Sequence, residues 1–238
     1  SYGEVGNDVY MVNGIKQRFL YEPVWTQLAN AYMFGSNRWE TGIYESQYPN
    51  YNVTWERARK YNAGLEFSFA GGLLNGTFDY FYEKRTDILT TYQSRPQWVG
   101  VNMAAGNLGS TKNSGYEFEL KHNNRIGNDF YYNIGFTFSH AHNEILGMDE
   151  PDAKTEYRKR EGHPINQYFG LVCEGFVTQA DLDNPDFPKS TYGNVSVGDL
   201  KYKDMNQDGF IDDRDETFIG FSDIPENTYS LTLGAQWK

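Results

Sequence analysis

The sequence predicts an all-β chain, an antiparallel transmembrane β-barrel segment with long loops at one end of its strands. Three observations predict it. Several segments of about ten residues alternate between apolar and polar side chains, the period of a strand with one apolar and one wet face. Aromatic residues make up 17% of the 238 residues, with 19 Tyr and 16 Phe, which favours strands over helices. The connections between the alternating segments are short and long in turn, as in barrels of the bacterial outer membrane.

Segment 61–70 sets Leu65, Phe67 and Phe69 against Glu66 and Ser68. In 73–84, Phe78, Tyr80 and Tyr82 alternate with Thr77, Asp79, Phe81 and Glu83. In 115–123, Tyr116, Phe118 and Leu120 oppose Glu117, Glu119 and Lys121. Segment 129–142 places Phe130, Tyr132, Ile134, Phe136 and Phe138 on one face, and 228–237 does the same with Tyr229, Leu231, Leu233, Ala235 and Trp237. These runs exceed the usual five or six residues of soluble strands and suit a tilted strand crossing a bilayer. A β-sandwich with one wet face accounts for the period equally well, so connection lengths decide. Gly71-Gly72 and 124–128 are tight turns, whereas 7–59, 85–114 and 143–227 are long. Alternating strand direction puts every short turn on one side and every long connection on the other, the pattern of periplasmic turns and extracellular loops. Segment 165–177 alternates imperfectly and would break that parity if it crossed, so it reads as part of an extracellular hairpin. Five full strands and part of a sixth cannot close a barrel, which takes at least about eight. The expectation is a piece of something longer, with any export signal upstream.

The net charge of −11 argues against nucleic acid, whose phosphates demand a basic surface, and against docking on an anionic lipid face. Cys173, the single cysteine, allows no internal disulfide, and no run of 18 apolar residues marks a transmembrane helix.

One motif carries ligand chemistry. Within 198–220, Asp204, Asn206, Asp208, Gly209, Asp212 and Asp215 have the spacing of a calcium loop, with glycine at the sixth position for the sharp turn. Asp204, Asn206 and Asp208 would offer side-chain oxygens, Phe210 its carbonyl, Asp212 a direct or water-mediated contact, and Asp215 the closing carboxylate. The number of oxygens favours Ca²⁺ over Mg²⁺. Asp215 is one methylene shorter than the usual closing Glu, and Glu216 stands next to it. The expected role is a structural staple.

Other candidates have plainer explanations. His140 and His142 share one side of a strand, but no second pair of zinc ligands accompanies them. Glu117 and Glu119 read as the polar wall of a barrel rather than a glycosidase pair. Trp25, Trp39, Trp55 and Trp98 lie in or beside the long connections, where indoles stack on sugars, anchor loops or mark a lipid interface. No nucleophile elbow or P-loop is present, and the sequence predicts no enzyme.

SYGEVGND at 1–8, VTWERARKYNAGLEFSF at 53–69, FDYFYEKRTDIL at 78–89, NLGSTKNSGYEFEL at 107–120 and GDLKYKDMNQDGFIDDRDETFIG at 198–220 are collinear blocks. Together they resemble the C-terminal barrel region of SusC-like (RagA-like) TonB-dependent transporters, outer-membrane nutrient importers of the Bacteroidetes. The resemblance implies a plugged barrel of roughly 22 strands. It also implies a SusD-like surface lipoprotein over the extracellular mouth and energy from TonB through a plug region not recognisable in 1–238. What carries over is the role of a barrel segment, 1–238, with the Asp-rich loop 198–220 inside an extracellular loop. The expected function is energy-coupled import of oligosaccharides or peptides across the outer membrane. The competing expectation is a secreted, calcium-stabilised β-sandwich that binds carbohydrate.

Overall fold

A computed structural model describes residues 1–35, 38–94, 98, 100–151 and 155–238. The chain divides into two units, one of residues 1–152 and 226–238 and one of residues 153–225.

In chain order the strands of the first unit are β1 (Tyr2–Asn7), β2 (Tyr10–Val12), β3 (Ile15–Gln17), β4 (Val24–Phe34), β5 (Arg38–Tyr48), β6 (Glu56–Phe69), β7 (Leu74–Thr90), β8 (Asn102–Met103), β9 (Gly106–Ile126) and β10 (Phe130–Gly147). The second unit holds β11 (Gln167–Gly170), β12 (Cys173–Phe176), β13 (Lys189–Ser190), β14 (Leu200–Tyr202), β15 (Phe210–Ile211) and β16 (Thr217–Ser222). The chain then returns to the first unit as β17 (Asn227–Trp237).

The dominant feature is a six-stranded antiparallel sheet in the order β1-β6-β7-β9-β10-β17. Its strands are sequential neighbours because each is joined to the next by a reversal, never a crossover. The β6–β7 reversal takes Ala70–Gly72, and the β9–β10 reversal takes 127–129 with Gly127 at φ +63. Pairing of Asn7 with Glu56, Thr90 with Gly106 and His140 with Asn227 sets the ends of all three long connections at the opposite edge of the sheet.

The strands outrun the sequence-read segments. The segment read as 73–84 extends to Thr90, and 115–123 becomes part of a 21-residue strand. Alternation fades where both faces are wet, but the backbone ladder continues because each N–H and C=O still needs a partner. The stretch 7–59, read as a connection, contains the β2–β3 hairpin and the 11-residue strands β4 and β5.

The second unit is built of short pairs, β11–β16, β12–β14 and the parallel β13–β15. Residues 165–177 appear here as β11 and β12, outside the six-stranded sheet. Phe218 stacks on His163 at 3.6 Å and meets Phe169 edge-on at 5.3 Å, while Val177 and Ile211 form a small buried centre.

Candidate functional site

The register of the six strands sorts the side chains by chemistry. Phe67, Leu120, Phe136 and Leu231 lie in one row, and Leu65, Phe78, Phe118, Phe138 and Tyr229 in the next. Between them runs a polar row, Glu66, Thr77, Glu119, Thr137 and Ser230, pointing to the other face. Period two makes one face of the sheet apolar and the other polar.

The apolar face is exposed: Leu65, Phe69, Tyr229, Leu231, Leu233 and Trp237 are all largely accessible. A sandwich would bury this face against a second sheet. Left uncovered, so large an apolar surface is suited to lipid. Aromatic rings mark both ends of the band, with Tyr61 beside Tyr2 at 5.0 Å and Tyr82 at 6.2 Å, and Phe130 beside Trp237 at 5.7 Å. From Tyr132 to His140 the strand advances about 27 Å, or roughly 20 Å along a membrane normal at a tilt of ~40°, close to the height of an outer-membrane apolar band.

On the polar face Thr77, Asp79, Glu117, Glu119, Thr137 and Ser139 line a shallow depression of about 350 Å³. Lys121 pairs with Glu119, so Glu117 and Glu119 stand in a polar wall beside a cation. Further along, Arg85 reaches Glu56 at 2.6 Å and Glu83 at 2.8 Å, and Lys60 reaches Glu83 at 3.1 Å. Sequence reasoning missed this network, because it joins residues 56, 60, 83 and 85 across two strands.

The histidines are accounted for by neighbours: His142 Nδ1 lies 2.6 Å from Glu226 Oε1 and His140 Nδ1 lies 2.9 Å from Asn227 Oδ1. Trp25 and Trp39 sit on strands β4 and β5 rather than in loops, while Trp98 is 86% exposed. Trp55 lies over Gly6 of β1, where a Cβ would come within 2.8 Å of its ring. Cys173 is a free, exposed thiol.

The Asp-rich loop folds as a chain of side-chain-to-amide turns. Asp204 accepts from the amides of Gln207 (2.6 Å) and Gly209 (2.8 Å), Asn206 from Asp208 (3.0 Å), and Asp208 from Phe210 (3.0 Å). Gly209 takes φ +82, a conformation costly for any residue with a Cβ. Asp215 is fully buried and accepts from the amides of Met205 (2.9 Å), Asn206 (3.4 Å) and Asp212 (2.9 Å). The Phe210 backbone pairs in β15 with Lys189. Arg214, which sequence reading passed over, bridges Asp212 at 2.6 Å and Asp208 at 2.8 Å. Its guanidinium holds the Asp212 carboxyl below the usual range. Among the described residues no three His, Cys, Asp or Glu side chains converge as a metal-holding group. The donor set has the chemistry of a calcium loop, but in this conformation its carboxylates face backbone amides and one guanidinium.

The family model described as TonB dependent receptor-like, beta-barrel matches residues 21–238. The chain belongs to that family. Along its whole length it is 24% identical to TonB-dependent receptor P3 and 28% identical to TonB-dependent receptor P26 of Formosa agariphila, covering 24% of each. Half of it is 31% identical to TonB-dependent receptor SusC of Bacteroides thetaiotaomicron, over 12% of that protein. The chain thus spans about a quarter or less of the curated relatives it matches. The fold is shared, at a TM-score of 0.65 and 21% identity, with the RagAB peptide importer in its closed-closed state, covering all of this chain and 24% of that one. A TonB-dependent receptor barrel sits in the outer membrane and needs one face for lipid and one for its lumen. The six-stranded sheet of this TonB-dependent receptor segment carries one apolar and one polar face.

Proposed function

We propose that this chain is a wall segment of an energy-coupled outer-membrane importer, completed by further strands into a plugged barrel of roughly 22. The observation that carries the reading is the exposed apolar face backed by a polar face on the same six strands, in a chain of the TonB-dependent receptor β-barrel family. The aromatic face meets lipid, and Glu117, Glu119 and Thr137 line the interior. The long connections face outside the cell, where a SusD-like lipoprotein closes over them. TonB acts through a plug region elsewhere in the protein. The cargo is oligosaccharide or peptide: resemblance to SusC supports a SusC-type importer, and the shared fold with a peptide importer supports the peptide arm. Uptake of labelled oligosaccharides and of labelled peptides by cells carrying the full-length transporter, with and without TonB, tests this. Accumulation of one class that vanishes without TonB is expected; equal accumulation in both strains overturns energy coupling.

The Asp204–Asp215 loop is proposed as a structural Ca²⁺ site held by Asp204, Asn206, Asp208, the Phe210 carbonyl, Asp212 and Asp215. The reading rests on donor chemistry at alternate positions and on the positive φ of Gly209. Asp208 and Asp212 must release Arg214 to engage the ion. Calorimetry on the full-length transporter is expected to show Ca²⁺ uptake, tighter in Arg214→Gln. No heat at millimolar Ca²⁺ in either protein would leave Arg214 as the only cation of the loop.

A further inference from the structure

The connection between β1 and β6 surrounds a cavity of about 600 Å³, within the range of about 300–1,000 Å³ that ligand sites occupy. The β2–β3 hairpin, the turn 18–21 and the entry 53–55 into β6 form it, with Leu89 of β7 alongside. Its walls are pinned. The Asn50 amide donates to the Leu20 carbonyl at 2.7 Å and the Glu22 amide to the Phe19 carbonyl at 2.8 Å, which holds the turn from both sides. The Asn107 side chain accepts from the Thr54 amide (2.9 Å) and donates to the carbonyls of Thr54 (2.8 Å) and Asp87 (2.6 Å), tying the entry onto the end of β7. Phe19 takes φ +56, a left-handed conformation that strains an aromatic residue, and strain of this kind collects at ligand sites. Its ring meets Tyr21 edge-on at 6.1 Å.

The lining divides by chemistry. Leu20, Val53 and Leu89 are half-buried, and the rings of Phe19, Tyr21 and Trp55 are exposed around them. Three charges complete it. Lys16 and Asp8 stand 3.6 Å apart and offset each other. Arg18 is exposed and forms no ion pair among the described residues. One uncompensated guanidinium therefore stands beside an apolar surface, in a chain of net charge −11.

We propose that this cavity binds the C-terminal residue of a peptide, with the carboxylate on Arg18 and an apolar side chain against Leu20, Val53 and Leu89. This rests on the peptide arm of the importer reading. A carboxylate accepts a forked pair of hydrogen bonds from a guanidinium, and that geometry is specific to planar anions. Removing the apolar side chain from water supplies the rest of the affinity. A sugar would stack on the rings, but its hydroxyls would face three aliphatic side chains that offer no hydrogen bond. An apolar residue ending in a free carboxylate matches both halves of the lining.

The test uses the full-length transporter in detergent and four fluorescently labelled probes: a hexapeptide ending in leucine with a free carboxylate, the same peptide amidated, its analogue ending in serine, and trigalacturonate. Amidation is expected to weaken binding at least about tenfold, and the serine ending about tenfold. Trigalacturonate, which carries carboxylates on sugars, should bind more weakly than the leucine peptide. Arg18→Gln should bring the free peptide down to the level of its amide and leave the amide unchanged, and Arg18→Lys should recover part of the loss. Equal binding of acid and amide, a gap that persists undiminished in Arg18→Gln, or tighter binding of trigalacturonate overturns the proposal. Should Arg18→Gln fail to assemble, Arg18→Lys carries the comparison: a narrowed gap between acid and amide is expected, and an unchanged one overturns the proposal equally. TonB-dependent peptide uptake without any preference for acid over amide removes this subsite and leaves the importer reading standing. Uptake that is equal with and without TonB overturns energy coupling, while the acid–amide comparison still decides the cavity.

Discussion

Arg85 Nη1 stands 2.6 Å from Glu56 Oε1, joining β7 to the start of β6 through a glutamate whose side chain is only 10% exposed. The same guanidinium reaches Glu83 at 2.8 Å, so one cation neutralises two acids on the polar face. Arg85→Ala would leave the Glu56 carboxylate buried without its donor. The expected cost is about 1–3 kcal/mol, seen as a lower urea midpoint for the folded, heat-modifiable band of the full-length transporter in vesicles. An unchanged midpoint would mean that water replaces the arginine at no loss.

Phe136 sits on the apolar face between Leu120 and Leu231, midway between the Tyr132 and His140 levels, whereas Thr137 faces the polar side. Phe136→Arg should impair assembly by about 2–4 kcal/mol at mid-bilayer, while Thr137→Arg should be tolerated. Folded yield and heat-modifiability compare the two. Equal behaviour would contradict the assignment of faces.

Gly115 is buried where β9 passes close to the His140 carbonyl and beneath the Phe81 ring. Any Cβ there meets backbone, which cannot swing aside as a side chain can. Gly115→Ala is expected to cost about 1–3 kcal/mol in the same urea assay. Adding Phe81→Ala should not restore the loss, because the carbonyl obstacle stays; full rescue would assign the strain to the ring instead.

In the 153–225 unit, the Lys201 ammonium 2.6 Å from Asp181, with the Thr178 hydroxyl and amide, holds the Asp181 carboxyl far below the usual range. Arg214 lowers Asp212 in the same sense. A carboxyl depressed on folding contributes stability that is whole above its unfolded value, about pH 4, and is lost as pH falls towards the folded value. Hydrogen exchange at Thr178–Asp183 in the intact transporter should therefore be insensitive to this carboxyl between pH 7 and 5. Corrected for the intrinsic pH dependence of amide exchange, it should rise below about pH 4. Asp181→Asn should flatten that acid response. A rise already between pH 7 and 5 that Asp181→Asn abolishes would contradict it.

Strand identity was legible wherever the two faces meet different media. Phe78, Tyr80 and Tyr82 against Thr77, Asp79 and Glu83 can alternate only because one side avoids water and the other seeks it. Where both sides are wet, as in β4 and β5 or the ends of β7 and β9, composition carries no such signal. The spacing of Asp204, Asn206, Asp208, Gly209 and Asp215 was legible as a turn-forming loop. The use Asp215 makes of three amides, and the entry of Arg214 between Asp208 and Asp212, were not.

The sequence by itself determined an all-β chain with one lipid-compatible face, reversals short at one end and long at the other, and a family likeness carried by collinear blocks. These are local properties, written in period, turn residues and spacing. Only the tertiary structure decided which residues stand abreast: Glu56 with Arg85, and Gly115 under Phe81. Register couples residues tens of positions apart through backbone hydrogen bonds, and a one-residue slip would exchange every such partnership.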